Sequence, residues 1–158
     1  MSAATSISLP RVLIVHGPNL NLLGLREPGI YGRKTLEEIN AALIALGQRL
    51  GVAVETFQSN HEGAIVDRLQ KSIGACDGVV INAAAYTHTS VAIRDAIAML
   101  SVPVVEVHLS NIHKREPFRH TSLPAAVVTG QIVGLGPVGY QLALRAIAEM
   151  IPLGVAVA

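Results

Sequence analysis

Four short runs of aliphatic residues, each stopping on polar side chains, constrain this chain more than any other feature. Val12-Leu13-Ile14-Val15 runs into His16-Gly17-Pro18-Asn19, and Val52 to Gln58 into Ser59-Asn60. Gly78-Val79-Val80-Ile81 stops at Asn82, and Val104-Val105-Glu106-Val107-His108 at Leu109-Ser110-Asn111. Runs this apolar and this short read as parallel strands buried on both faces. Helical stretches separate them. Thr35-Leu36-Glu37-Glu38 is a capping box; its helix sets Leu36, Ile39, Leu43, Leu46 and Leu50 on one face and stops at Gly51. Ser59 to Glu62 can cap a second helix with an apolar face of Ile65, Val66, Leu69 and Ile73. A third carries Ile93, Ala96, Ile97 and Leu100 inward, and a fourth is lined by Tyr140, Ala143, Leu144, Ile147 and Met150. Ala125 to Thr129 is expected as a last short strand. Strands alternating with helices imply an α/β fold: a doubly wound, five-stranded parallel sheet of flavodoxin-like order 2-1-3-4-5.

The 158 residues suit one domain, read as a single catalytic unit with a loose leader over 1–10 and an apolar tail over 151–158. Net charge is +1 and no basic stripe carries aromatics, which argues against nucleic acid as a partner. No apolar run approaches the ~20 residues of a membrane span, and the single Cys76 cannot form an internal disulfide. These features favour a cytoplasmic location. Mean hydropathy of +0.48 is high for a small monomer, so apolar surface is expected to meet other subunits.

In open α/β sheets, ligands bind outside the carboxyl ends of the strands. Asn19, Ser59, Asn60, Asn82, Glu106 and His108 all fall on that edge, a pattern suited to a small, heavily hydroxylated ligand. Glu106 and His108 are two residues apart on a strand and leave the same face. The carboxylate fixes which ring nitrogen carries the proton and makes the imidazole a proton donor; a structural histidine at a strand end is an equal alternative on this stretch alone. His88, Thr89 and Ser90 sit at a helix start, where free backbone N–H groups attract an anion such as a carboxylate. Ser110 and the backbone near Leu109 could close on the same anion, although for Thr89 and Ser90 alone simple N-caps are the stronger reading. The loop from Gly17 to Lys34 holds four glycines, two prolines, Arg26 and Tyr31. Guanidinium groups, here Arg26 and Arg33, favour the phenolate, so Tyr31 as base and His108 as acid would separate the two roles. A tyrosine packed on its own loop is the simpler reading of that segment by itself.

Several motifs fail. Gly134-Leu135-Gly136-Pro137-Val138-Gly139 matches a dinucleotide fingerprint, but only one helix follows, so it reads as a helix-entry turn. His108, His113 and His120 fit no metal-ligand spacing. Lys34, Lys71 and Lys114 lie in polar surroundings, unsuited to Schiff-base chemistry. Cys76 reads as inert, and Lys114, Arg115 and Arg119 as a solvated cationic loop from which Arg119 could reach the crevice.

Taken together, Gly17-Pro18-Asn19-Leu20-Asn21-Leu22-Leu23-Gly24, Arg26-Glu27-Pro28 through Ile30-Tyr31-Gly32, Gln58 to Gly63, Ala85 to Ser90, Glu106 to Asn111 and Phe118-Arg119-His120 resemble the type II 3-dehydroquinate dehydratases. The resemblance spans Val12 to Ala148. It implies a cofactor-free, metal-free elimination of water from 3-dehydroquinate to 3-dehydroshikimate through an enolate, in the shikimate pathway of aromatic amino acid biosynthesis. Tyr31 would be the base, Arg26 would hold it ionised and stabilise the enolate, and His108, supported by Glu106, would protonate the leaving hydroxyl. Asn19 would hold a water, while Asn82, His88, Asp95, Leu109, Ser110 and Arg119 would bind substrate. The resemblance also implies a homo-oligomer, a dodecamer built from trimers. His16 stands where the family often has asparagine, and Ala83-Ala84 where it usually has Pro-Gly, a change expected to act on the loop carrying His88. The rival class is a flavodoxin-like small-ligand binding module without catalysis. A flavin module would need hydroxyls in the loop after the first strand, and a response regulator an acidic cluster; His16-Gly17-Pro18-Asn19 and the strand-end amides supply neither.

Overall fold

The computed structural model describes residues 8–25 and 27–152. The leader and the apolar tail lie mostly outside them, and Arg26 wholly so. The described chain forms strands β1 (Arg11–His16), β2 (Ala53–Gln58), β3 (Gly78–Asn82), β4 (Val104–His108) and β5 (Gly130–Val133). Between and after these lie helices α1 (Pro28–Tyr31), α2 (Leu36–Leu50), α3 (Glu62–Ser72), α4 (Val91–Ala98) and α5 (Val138–Met150). All strand pairs are parallel and the order is β2-β1-β3-β4-β5, as the alternation of strand and helix implied.

The period-two pleat sorts the core into two layers. Val12 and Ile14 of β1 pack with Leu43, Leu46, Leu144 and Ile147 of α2 and α5. Leu13 and Val15 pack on the opposite face with Ile65, Leu69, Ile93 and Ile97 of α3 and α4. The capping box forms as read: Glu38 N–H donates to Thr35 Oγ1 at 3.2 Å and Thr35 N–H to Glu38 Oε2 at 2.8 Å, while Gly51 ends the helix at φ 74°. Gly78 in β3 has a packing reason, since a Cβ there would stand 2.4 Å from Ile147 of α5.

Three expectations need correction. Residues 125–129 are not a strand. Pro124 opens a 3-10 turn in which Val127 and Val128 N–H both bond the Pro124 carbonyl, so the β-branched pair curls and β5 starts only at Gly130. Helix α3 has His61 as its N-cap without a side-chain bond; Ser59 Oγ accepts from His61 N–H, and Asn60 Oδ1 is engaged by Asn19 N–H at 2.9 Å. Ile73 lies past the end of α3 and is half exposed, because Ser72 closes the last turn through Leu69.

Candidate active site

The carboxyl ends of β1, β3 and β4, the turn after each, and the segment following β4 enclose a crevice. Asn19, Tyr31, Asn82, His88, His108, Leu109, Ser110, Arg115 and Arg119 are among its walls. Parallel register explains the convergence: His16 lies beside Asn82, and Ile81 beside Glu106, so the polar strand ends stop at one level.

Glu106 and His108 share a face, as their spacing requires. His108 Nε2–H donates to Glu106 Oε1 at 2.7 Å, which leaves Nδ1 for the crevice the ring lines. Glu106 is fully buried, and two further donors hold it. Ser122 Oγ–H lies 2.7 and 2.9 Å from its two oxygens, and Gln131 Nε2–H donates at 2.6 Å. Burial opposes the charged form, but the bonds from His108, Ser122 and Gln131 outweigh it and hold the carboxyl below its ordinary value of 4.5. By accepting the Nε2–H, the ionised Glu106 fixes the His108 tautomer. Ser122 and Gln131 escaped the sequence reading. Gln131 could have been found by placing β5 correctly, since it is the direct register partner of Glu106.

The glycines after β5 brace this strand end. Gly134 N–H donates to the His108 carbonyl at 3.0 Å and Gly136 N–H to that of Leu109 at 2.9 Å. Gly134, at φ 86°, also lies where a Cβ would come 2.9 Å from Asn111. The segment is the helix-entry turn expected of it.

Tyr31 closes the short helix α1 and is half-buried at the crevice wall. Its hydroxyl accepts from Arg115 Nη1 at 2.7 Å, and the guanidinium carbon stands 5.3 Å from the ring centroid. The cationic loop is therefore not simply solvated. Arg115 and Arg119 turn into the crevice with side chains 15% and 20% exposed, while Lys114 stays outside and Arg33 is exposed. Arg115 is held in turn by His120, whose Nε2–H donates to its carbonyl at 2.8 Å. Glu116 accepts from Arg119 Nε at 2.8 Å.

His88 lines the crevice and stacks on His108 with ring centroids 6.4 Å apart. Its Nδ1–H donates to the Thr121 carbonyl at 2.8 Å, so Nε2 carries the lone pair. Burial lowers its pKa from the ordinary 6.5, and the positive potential of His108 and Arg119 acts the same way, against the bond to Thr121 and the charge of Glu106. It is a neutral acceptor at neutral pH. Ala84 holds the preceding turn at φ 51°, with its N–H bonded to Asn82 Oδ1 at 3.0 Å, so the Ala83-Ala84 pair still delivers His88 to the crevice.

Other expected residues stand elsewhere. Ser90 Oγ accepts from Ile93 N–H and is the N-cap of α4; neither it nor the exposed Thr89 lines the crevice. Asn60 props the wall instead, through Asn19 N–H and by accepting the Tyr86 hydroxyl at its carbonyl at 2.8 Å. Asp95 is 61% exposed on α4, paired with Arg94, and does not reach this crevice. His113 and His120 stand 6.3 Å apart, and among the described residues no group of three or more His, Cys, Asp or Glu side chains is placed to hold a metal ion.

The chain is similar to proteins of one kind. It is 58% identical over 141 residues to a 3-dehydroquinate dehydratase of Acaryochloris marina, covering 89% of this chain and 95% of that one. A protein of the same name from Ruegeria pomeroyi is 59% identical over 137 residues, covering 87% and 92%. The crystal structure of type II dehydroquinase from Propionibacterium acnes superposes with a TM-score of 0.87 at 44% identity, over 90% of this chain and 98% of that one. The family model for dehydroquinase class II matches residues 10–148, and the chain belongs to that family.

Proposed function

We propose that in dehydrating 3-dehydroquinate, the reaction of its family of hydro-lyases, this chain uses Tyr31 as the base and His108 as the acid. Tyr31 removes the proton from C2, and the electrons pass to the carbonyl oxygen as an enolate. The enolate collapses with loss of the C1 hydroxyl, which takes a proton from His108 Nδ1 and departs as water. The product is 3-dehydroshikimate, a conjugated enone, in the shikimate pathway. The observation that carries this reading is that Tyr31 and His108 line one crevice, each bonded to a charged group: the Tyr31 hydroxyl accepts from the Arg115 guanidinium and His108 donates to the buried Glu106 carboxylate. Separated charges of this kind are what a base and an acid working together need.

Asn19 holds a water beside the enolate oxygen. Asn82, His88, Ser110, the Leu109–Ser110 backbone and Arg119 grip the substrate's hydroxyls and carboxylate. Arg26 joins Arg115 at the phenolate, a role resting on the family resemblance. Asp95 meets substrate only where a neighbouring copy supplies it. The protein works in the cytoplasm as a dodecamer of trimers. The mean hydropathy of +0.48 and exposed apolar side chains such as Val91, Met99, Leu135 and Leu142 support subunit contacts. No helix among the described residues is long and apolar enough to cross a membrane.

The test is ultraviolet absorbance of the enone formed from 3-dehydroquinate. The parent should turn over without added cofactor. His108→Ala and Tyr31→Phe should each lose about 10²–10⁴-fold in kcat while still binding substrate. Turnover within a few-fold of the parent in either variant overturns that residue's role.

A further inference from the structure

Behind His108 lies a buried charge whose other donors have no part in the roles above. Glu106 is fully buried on β4, and burial by itself drives a carboxyl toward its neutral form. Three side chains oppose this: His108 Nε2–H at 2.7 Å, the Ser122 hydroxyl at 2.7 and 2.9 Å from the two oxygens, and Gln131 Nε2–H at 2.6 Å. The Ser122 oxygen also accepts from Ala125 N–H at 3.1 Å, and its one hydrogen is left for the carboxylate. Gln131 is an exposed residue of the edge strand β5 and reaches Glu106 as its direct register partner.

The direction of the bond between Glu106 and His108 depends on the charge of the carboxyl. An ionised carboxylate has only lone pairs, so it accepts the Nε2 hydrogen, and the ring gives a proton to the crevice from Nδ1 while Nε2 keeps its own. A protonated carboxyl could instead donate to Nε2. The ring would then hold a single hydrogen, on Nδ1, and a neutral imidazole is a far weaker acid than one protonated on both nitrogens. Whatever keeps Glu106 ionised therefore keeps the acid strong.

We propose that Gln131 and Ser122 are positioning residues that keep Glu106 a carboxylate through turnover, so that His108 always donates to it at Nε2 and acts as the acid at Nδ1. This rests on the reading of His108 as the acid. Burial is the largest influence on Glu106 and pushes its pKa up; the bonds from His108, Ser122 and Gln131 together bring it below 4.5. With one donor removed the balance moves back toward the neutral form, so the carboxylate survives at high pH and is lost as the pH falls. The other groups about the pair are His88, which stacks on His108 and feels the charge of Glu106, and Arg119, which acts on His88. Both are intact in the variants below, so their influence cancels when variant and parent are compared at one pH.

The test is kcat for 3-dehydroquinate between about pH 5 and pH 8, with thermal melting at each pH as the control for folding. Gln131→Met keeps the side chain's length and removes the donor. A lost hydrogen bond to a charged group moves a carboxyl's titration by about 1–2 pH units. The variant should therefore match the parent kcat at about pH 8 and fall about three- to tenfold below it at about pH 5, with KM little changed. The Glu106 carboxyl, followed by carbon-13 NMR and assigned by its absence in Glu106→Ala, should titrate higher than in the parent. No loss at the lower pH, a loss of equal size at every pH, or a Glu106 carboxyl that titrates where the parent's does overturns the proposal. Ser122→Ala should show the same pH-dependent pattern, so the proposal stays testable if Gln131→Met does not fold. In the Glu106→Ala background Gln131→Met should change kcat no further, and a further loss there overturns the proposal as well. Glu106→Ala at the parent kcat would instead overturn the support that Glu106 gives His108, and leave Gln131 and Ser122 nothing to act through.

Discussion

His16 is a histidine sealed in a hydrogen-bonded slot, with consequences for stability as well as geometry. Its folded pKa is depressed to about 4, whereas an unfolded chain takes up the proton near 6.5. The unfolded state thus binds more protons across that window, and stability present above pH 6.5 is lost as the pH falls toward 4. The shift corresponds to about 3 kcal/mol for this group. Urea denaturation at pH 7 and pH 4.5 measures it: His16→Asn should flatten the fall in unfolding free energy, and an unchanged slope would show that another group carries it. Arg115 makes a second residue-scale case. It supplies the guanidinium that Tyr31 bonds, so Arg115→Ala should lower kcat at least tenfold with a smaller change in KM. A variant with parent kcat would show that Tyr31 does not depend on Arg115.

At the scale of elements, the turn between β3 and α4 carries visible strain. Ala84 sits at φ 51°, a left-handed position that costs a residue with a Cβ roughly 1–2 kcal/mol, against about 0.5–1 kcal/mol of extra chain entropy for glycine. Ala84→Gly should therefore raise unfolding free energy by about 0.5–1 kcal/mol with His88 still in place. A loss of stability would mean that the methyl's packing outweighs the strain. Elements with local signatures were legible in the sequence: the capping box of α2, its glycine stop, and the apolar faces of the helices. The last strand was not. Val127 and Val128 have the β-branched character of a strand, and only the turn begun at Pro124 and the pairing of Thr129 N–H with the Val104 carbonyl move pairing onward to Gly130. The site followed the same rule. Glu106 and His108 are neighbours in sequence and could be read together. Arg115 meets Tyr31 across 84 residues, and Gln131 meets Glu106 across 25, so neither partner is visible until the strands are in register.

At the scale of the whole molecule, the core of one copy is complete in two layers, yet apolar side chains remain outside. Ile44, Val91, Met99, Leu135 and Leu142 are all more than 40% exposed. Light scattering should give a mass near twelve times 16.6 kDa, and a monomer mass would overturn the proposed assembly. The proposed part of Asp95 would link assembly to activity. If a neighbouring copy supplies it, Asp95→Ala should raise KM without changing the mass of the particle, and an unchanged KM would leave the residue without a part in binding.

The buried bond between His16 and the Tyr140 hydroxyl ties β1 to α5 across 124 residues, and the glycine turn just before α5 holds the carbonyls of His108 and Leu109. Timing follows from this. A chain emerging from the ribosome presents Tyr31 early, but has neither the brace behind His108 nor the hydroxyl that meets His16 until the last helix is free. An interrupted or prematurely released product would own most of the reacting groups without the contacts that hold them. The bracing of the site is thus completed late in synthesis.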